Sequence, residues 1–356
     1  MSKRFVLNLV KYLLALGLLT YVVWTNWDPN PGNPEKSQGL KYVWQVHFVE
    51  GKPVHFGFMA LAGLLLTASL LISFVRWHLL VRAQDLPFAL PNALRLGAVG
   101  FFFSTFLPGS IGGDIVKAVF LAKENSRRTV AVATVLIDRA IALWALIWFV
   151  LLLGACFWLG GMLTGDAERQ SKSIVISAGV TVGITVLTWI FLGILPPHRA
   201  ERFAGRLRRL PKVGGPASEF WRAIWMYRQR PKSVAIAMLM SWVGHVGFVL
   251  AFYLSARTLI DPEQMPSLTQ HFLLVPIGMV IQAMPLFPGG AGIGELGYGG
   301  LYALFHFPQA NGVLGSLVQR VVCWIVGLLG FVVYLRMRPA LKPEPVETAA
   351  LAVAEV

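Results

Sequence analysis

Two glycine-rich breaks and two arginines set deep in apolar sequence are where this chain could do chemistry. The first break, Leu107-Pro108-Gly109-Ser110-Ile111-Gly112-Gly113-Asp114, and the second, Phe287-Pro288-Gly289-Gly290-Ala291-Gly292-Ile293-Gly294-Glu295, both contain Pro-Gly, end in an acid and align 180 residues apart on Pro108 and Pro288. Each is followed by a polar residue and an arginine inside an apolar run: Asp138-Arg139, with Arg139 31 residues after Pro108, and Gln319-Arg320, with Arg320 32 after Pro288. A break at membrane depth leaves backbone N–H and C=O groups unpaired, which is tolerated only where protein buries it or a wet cavity receives it. A helix restarting after Gly109, Gly112 and Gly113, or after Gly289, Gly290 and Gly292, points its positive N-terminal end and free N–H groups at that cavity. An anion is the natural guest.

Arg139 and Arg320 are expected about 10 and 8 residues into their spans, or roughly 12 to 15 Å deep at 1.5 Å per residue. A charge at that depth faces a partner or a polar cavity. Two roles stay open and can coexist. The arginines can line a substrate path, or Arg139 can pair with Asp114 and Arg320 with Glu295, fastening each break to the helix that follows it. Gly292-Ile293-Gly294-Glu295-Leu296-Gly297 satisfies G-x-G-x-x-G, but no strand precedes it, so a dinucleotide site is not expected. The spacings Gly109/Gly113 and Gly290/Gly294 also suit close helix contacts. His245 reads as a hydrogen-bonded packing residue within a span. No nucleophile–base set and no metal-ligand spacing stands out, so neither a catalytic centre, a metal nor a cofactor is expected.

The elements that must position these residues are membrane helices. Of the 356 residues, 56% are hydrophobic and 13% charged, too few charges to solvate the apolar surface of a soluble globule. The net charge of +14 sits in short blocks between apolar runs, which is the pattern of a positive-inside membrane protein and not of a nucleic-acid binder. Six full spans are predicted, at 5–24, 56–75, 130–159, 173–195, 233–256 and 312–335. Two interrupted stretches, 93–122 and 267–307, are predicted to dip in and turn back as re-entrant hairpins. The first span, after Lys3 and Arg4, ends without a small-residue cleavage site and reads as a retained anchor. Arg76, Arg82 and Arg95 flank the second span and Lys123, Arg127 and Arg128 precede the third. With the ten basic residues of the loop 196–232, they fall on one face, and both termini are expected in the cytoplasm. In that loop, Arg199 to Leu210 interleave apolar and basic residues at helical spacing, as a segment lying on an anionic leaflet does; a plain topology determinant is the other reading. Residues 1–338 are expected to form one transmembrane domain, with halves near 56–195 and 233–335, and 339–356 a flexible cytoplasmic tail. Cys156 and Cys323 fall inside apolar runs and read as small buried hydrophobes.

The orientation puts the first break entering from the cytoplasmic face and the second from the opposite one, an inverted-topology repeat of the kind secondary transporters use. At Phe106 to Ala118, at Ala133-Thr134-Val135-Leu136-Ile137-Asp138-Arg139 and at Phe287 to Glu295, the chain resembles the lysylphosphatidylglycerol synthase transmembrane-domain family of flippase-like integral membrane proteins, over roughly 55–335. The resemblance implies a polytopic domain of the cell membrane that moves anionic or aminoacylated lipid headgroups, or a lipid-linked sugar, between leaflets. Arg139, Arg320 and Lys117 would neutralise phosphate, and Asp114 and Glu295 would hold those bases or meet a cationic headgroup, with Asp138 and Gln319 beside them. Family members usually carry Arg where this chain has Lys117, which makes that contact a point charge and not a fork. The soluble aminoacyl-transfer domain of full-length synthases is not expected here, nor is lysine transfer. Two other readings predict different behaviour: an accessory subunit serving a separate lipid-modifying transferase would accompany an altered lipid, and a purely structural protein would tolerate apolar replacement of both acid–arginine pairs.

Overall fold

The computed structural model describes residues 3–28, 39–106, 112–124, 128–161, 166–194, 196–210, 214–283 and 290–337, and among these every regular element is helical. The chain runs α1 (Lys3–Thr25), α2 (Leu40–Trp44) leading into a π-helical turn at Gln45–Val49, then α3 (Phe56–Arg82), α4 (Leu90–Phe106), α5 (Gly112–Glu124), α6 (Arg128–Leu159) and α7 (Asp166–Ile194). It continues through α8 (Pro197–Arg208), α9 (Gly214–Arg228), α10 (Pro231–Arg257), a short 3-10 turn at Pro262–Gln264, α11 (Leu268–Ala283), α12 (Ile293–Leu304) and α13 (Gln309–Met337).

Five helices, α3, α6, α7, α10 and α13, are long and apolar enough to cross a bilayer, and the chain is a polytopic membrane protein. The sixth predicted span is α1, in which the apolar helix runs over Leu9–Thr25. Large apolar side chains point outward along these helices, Val180, Ile184, Leu187 and Phe191 on α7 and Ile325, Leu328 and Leu329 on α13 among them, as befits helices whose solvent is hydrocarbon. Cys156 is exposed with them, since its turn of α6 carries outward-facing neighbours, and Cys323 is half-buried; both thiols are free.

The central contact is between α3 and α10, which approach closely because small residues meet there: a Cβ added at Gly247 would collide with the Ser69 hydroxyl. The pair is antiparallel. At one end Arg230 before α10 binds Asp85 after α3 at 2.6 Å and Tyr227 donates to the Leu80 carbonyl at 2.7 Å. At the other end Lys52 binds Asp261 at 2.6 Å and the His55 N–H donates to the Thr258 carbonyl. Around this pair α4 packs on α5 and α13, α6 on α5, α7 and α11, and α12 on α11 and α13.

The predicted interrupted stretches are each two helices, α4 with α5 and α11 with α12. Pro108, Gly109, Pro288 and Gly289 lie outside the described residues. The expected basic loop 196–232 is instead mostly helical, because Ala200 and Ala204 of α8 pack against α9 and the Trp221 indole N–H donates to the Ala200 carbonyl at 3.0 Å. Burial raises the pKa of the Tyr227 phenol on α9, which holds that helix to the end of α3. The tail 339–356 lies outside the described residues.

Candidate functional site

Asp114 is the third residue of α5, where the helix dipole favours a carboxylate. Its Oδ2 accepts from Arg139 Nε at 2.6 Å, and its Oδ1 lies 4.0 Å from the Lys117 ammonium one turn further on. Lys117 sits over the rings of Phe74 and Trp77, 5.7 and 5.3 Å from their centroids, a geometry in which aromatic faces replace part of an ammonium's hydration. Glycine makes this arrangement possible. A Cβ at Gly113 would strike the Gly100 carbonyl and the Ser104 hydroxyl, so α5 lies backbone to backbone on α4, and the Lys117 stem runs over Gly100. Gly112 opens the same helix.

Asp138, the residue before Arg139, turns to a different partner. Arg76 of α3 grips its carboxylate in a fork, Nε to Oδ1 at 2.8 Å and Nη2 to Oδ2 at 3.1 Å, and donates through Nη1 to Ser241 Oγ of α10 at 2.8 Å. Three helices are thereby tied by one buried guanidinium. Sequence reasoning placed Arg76 beyond a span ending at 75 and counted it as a flanking charge. The helix continues to Arg82 and Arg76 is buried, 6% exposed, because Asp138 neutralises it there. A buried acid in a span requires a cation at the same depth, and that was the signal available for finding Arg76.

Glu295 is the third residue of α12 and is fully buried. Arg320 of α13 binds it through Nε to Oε1 at 2.6 Å and Nη2 to Oε2 at 3.0 Å, and Nη2 also reaches the Gly290 carbonyl at 3.2 Å. The Gly292 N–H donates to Glu295 Oε2 at 2.7 Å, so the carboxylate also caps its own helix. Gly290 and Gly292 have φ of 65° and 80°, in the left-handed region, and a Cβ at either would run into Gln282 or Leu18. Gln319 turns away to α10 and accepts from Ser255 Oγ at 2.7 Å.

At the start of α12 the anion received is thus the chain's own Glu295 carboxylate. Arg139 stands eleven residues past Arg128 and Arg320 eleven past Gln309, and each binds an acid 25 residues before it. Their surroundings differ. The Arg320 side chain is 6% exposed, whereas that of Arg139 is 44% exposed beyond its contact with Asp114. Lys117 has Tyr298 as its counterpart 181 residues on, and that phenol is buried, stacked on Phe252 at 4.2 Å. Around Asp114 and Asp138 three cations, Arg76, Lys117 and Arg139, face two carboxylates; around Glu295 one cation faces one. Among the described residues the first cluster therefore keeps a surplus positive charge beside a half-exposed Arg139 side chain, a combination that suits a phosphate or carboxylate. Among the described residues no three His, Cys, Asp or Glu side chains come together as a metal site would need.

The sequence profile of the lysylphosphatidylglycerol synthase TM region matches residues 50–330. The chain is also similar to the UPF0104 membrane protein PH1989 of Pyrococcus horikoshii, 24% identical over 305 residues that cover 80% of this chain and 88% of that protein. No solved structure matches it significantly.

Proposed function

The chain belongs to the lysylphosphatidylglycerol synthase transmembrane-region family, and from that premise we propose that it is a lipid translocase whose phosphate-binding group is the Arg139–Lys117 pair. The observation that carries this reading is the imbalance at Asp114: an arginine 44% exposed and a lysine within 4.0 Å of the same carboxylate, inside a protein otherwise built for hydrocarbon. A phospholipid phosphate arriving there meets the half-exposed Arg139 side chain and the Lys117 ammonium together, while Asp114 keeps the guanidinium in place. The acyl chains stay in hydrocarbon throughout.

The helices α3 to α6 and α10 to α13 are read as the two halves of an inverted repeat, because α3 and α10 run antiparallel and the acid–arginine pairs recur at the same depth of α6 and α13. In this reading the basic end, with Arg82, Arg95, Lys123 and the α8–α9 pair, faces the cytoplasm together with both termini, and the membrane is the cell membrane. The paired breaks are re-entrant, one from each face.

The test is leaflet exchange of a fluorescent phosphatidylglycerol in proteoliposomes. The native chain should exchange the lipid fast, and Arg139→Ala and Lys117→Ala should each slow it by about tenfold or more, the loss of one charged hydrogen bond. Equal rates in protein-free vesicles and with the native chain would overturn the proposal. An altered lipid in cells, without exchange, would point to service for a separate transferase.

A further inference from the structure

A groove of about 300 Å³ opens between α6, α7 and α11. Leu146, Ile147 and Val150 of α6, Ser177 of α7, and Pro276 and Val280 of α11 line it. We propose that it seats one acyl chain of the lipid whose phosphate is held at Arg139 and Lys117; the identity of that occupant rests on the translocase reading.

Continuity with the cationic site is the first argument. Leu146 and Val150 lie seven and eleven residues past Arg139, and at 100° per residue both return to within about 20° of its face of α6. Leu143, 45% exposed, lies between Arg139 and Leu146 along the helix, about 40° from the face of Arg139. The groove therefore begins about 10 Å along the helix from the guanidinium and extends to about 16 Å. That is the order in which a phospholipid presents phosphate and then hydrocarbon.

The second argument is that the same seam is shut in the other half of the molecule. Positions 181 residues after α6 and 178 after or before α4 and α11 bring Gly327 opposite Leu146, and Ala98 and Phe102 opposite Pro276 and Val280. There α13 meets α4 backbone to backbone: a Cβ at Gly330 would strike the Ala98 carbonyl, one at Gly327 would lie 3.2 Å from Phe106, and Phe102 packs on Phe331 at 5.1 Å. Glycines let these two helices touch at those positions. At the α6–α11 seam a leucine replaces the glycine and a proline inside α11 replaces the alanine, so the two helices, in contact where Gly154 meets Leu273, leave the groove beside this bulk. An apolar groove in a bilayer fills with hydrocarbon; the cations along the same helix face select whose hydrocarbon it is.

Photolabelling tests this on the full chain in nanodiscs. Two probes carry the same diazirine-bearing acyl chain, one on phosphatidylglycerol and one on neutral diacylglycerol, and adducts are mapped by peptide mass spectrometry. The phosphatidylglycerol probe should label peptides holding 146–150, 173–181 and 276–280 about tenfold more than the diacylglycerol probe, and Arg139→Ala with Lys117→Ala should erase the difference. Val280→Trp, at a position 44% exposed and remote from the charges, should lower labelling by filling the groove. Equal labelling by both probes, unchanged by removal of the cations, would overturn the proposal even if leaflet exchange is normal. Headgroup-dependent labelling without exchange would uphold the groove and remove the translocase reading.

Discussion

Arg320 and Arg139 occupy the same depth of their helices, yet their surroundings assign them opposite consequences when removed. Arg320→Ala strands the Glu295 carboxylate, fully buried, with only a backbone N–H and the Ser316 hydroxyl beside it. Breaking such a pair costs about 3–5 kcal/mol, so the variant should lose thermal stability in detergent and yield little monodisperse protein. Arg139→Ala leaves the buried Asp114 carboxylate with Lys117 still 4.0 Å away, so the loss of stability should be smaller than for Arg320→Ala while exchange is lost. A second prediction separates structure from transport: Glu295→Leu combined with Arg320→Met should recover most of the stability that Arg320→Ala loses, read as the unfolding midpoint. Recovery of neither stability nor yield would mean that the pair does more than fasten α12 to α13. Both acid–arginine pairs were legible in the sequence as one of two roles, since an arginine among apolar residues needs a nearby acid. Which pair is open was not legible, because it depends on Tyr298 standing over Gly278 where Lys117 stands over Gly100, a correspondence that only the packing of α11 and α12 reveals.

At the scale of elements, glycine decides where helices touch. Gly113→Val should push α5 off α4, costing about 1–3 kcal/mol as an overpacked contact and moving Asp114 away from Arg139. Gly300→Ala on α12 meets nothing within 4 Å and should be neutral or stabilise by up to about 1 kcal/mol, because it only removes backbone freedom. Comparing the two unfolding midpoints checks that contact, not glycine content, sets the effect. Long spans were legible from hydropathy to within a turn or so at most ends. The exceptions were α7, which begins at Asp166, seven residues before the predicted 173, and α3, extended seven residues past 75 by a guanidinium that reads as a span end until its buried partner is known. In the region 196–232 the interleaved apolar and basic residues of 199–210 were legible as a helix, but not which of its faces is buried. Ala200 and Ala204 face α9, where Arg222 also pairs with Glu201, and the arginines at 199, 202 and 206 are left pointing outward.

For the whole molecule, the unequal seams carry a mechanical prediction. On the proposed reading of a translocase built as an inverted repeat, the two halves exchange roles, so the seam between α4 and α13 must open when that between α6 and α11 closes. In the structure the former is filled by Phe102, Phe103, Phe331 and Tyr334, with Phe103 and Tyr334 rings 5.3 Å apart. Phe103→Cys with Tyr334→Cys, placed in a Cys156→Ala, Cys323→Ala background, should form a disulfide on oxidation. Exchange should then fall to the protein-free rate on oxidation and return on reduction, while headgroup-dependent binding at Arg139 persists, because the cross-link holds the α4–α13 seam shut and leaves the α6–α11 groove untouched. Undiminished exchange in the cross-linked protein would mean that lipid crosses without that seam opening, and the paired breaks would then serve a fixed path past Arg139 and not a rocking one.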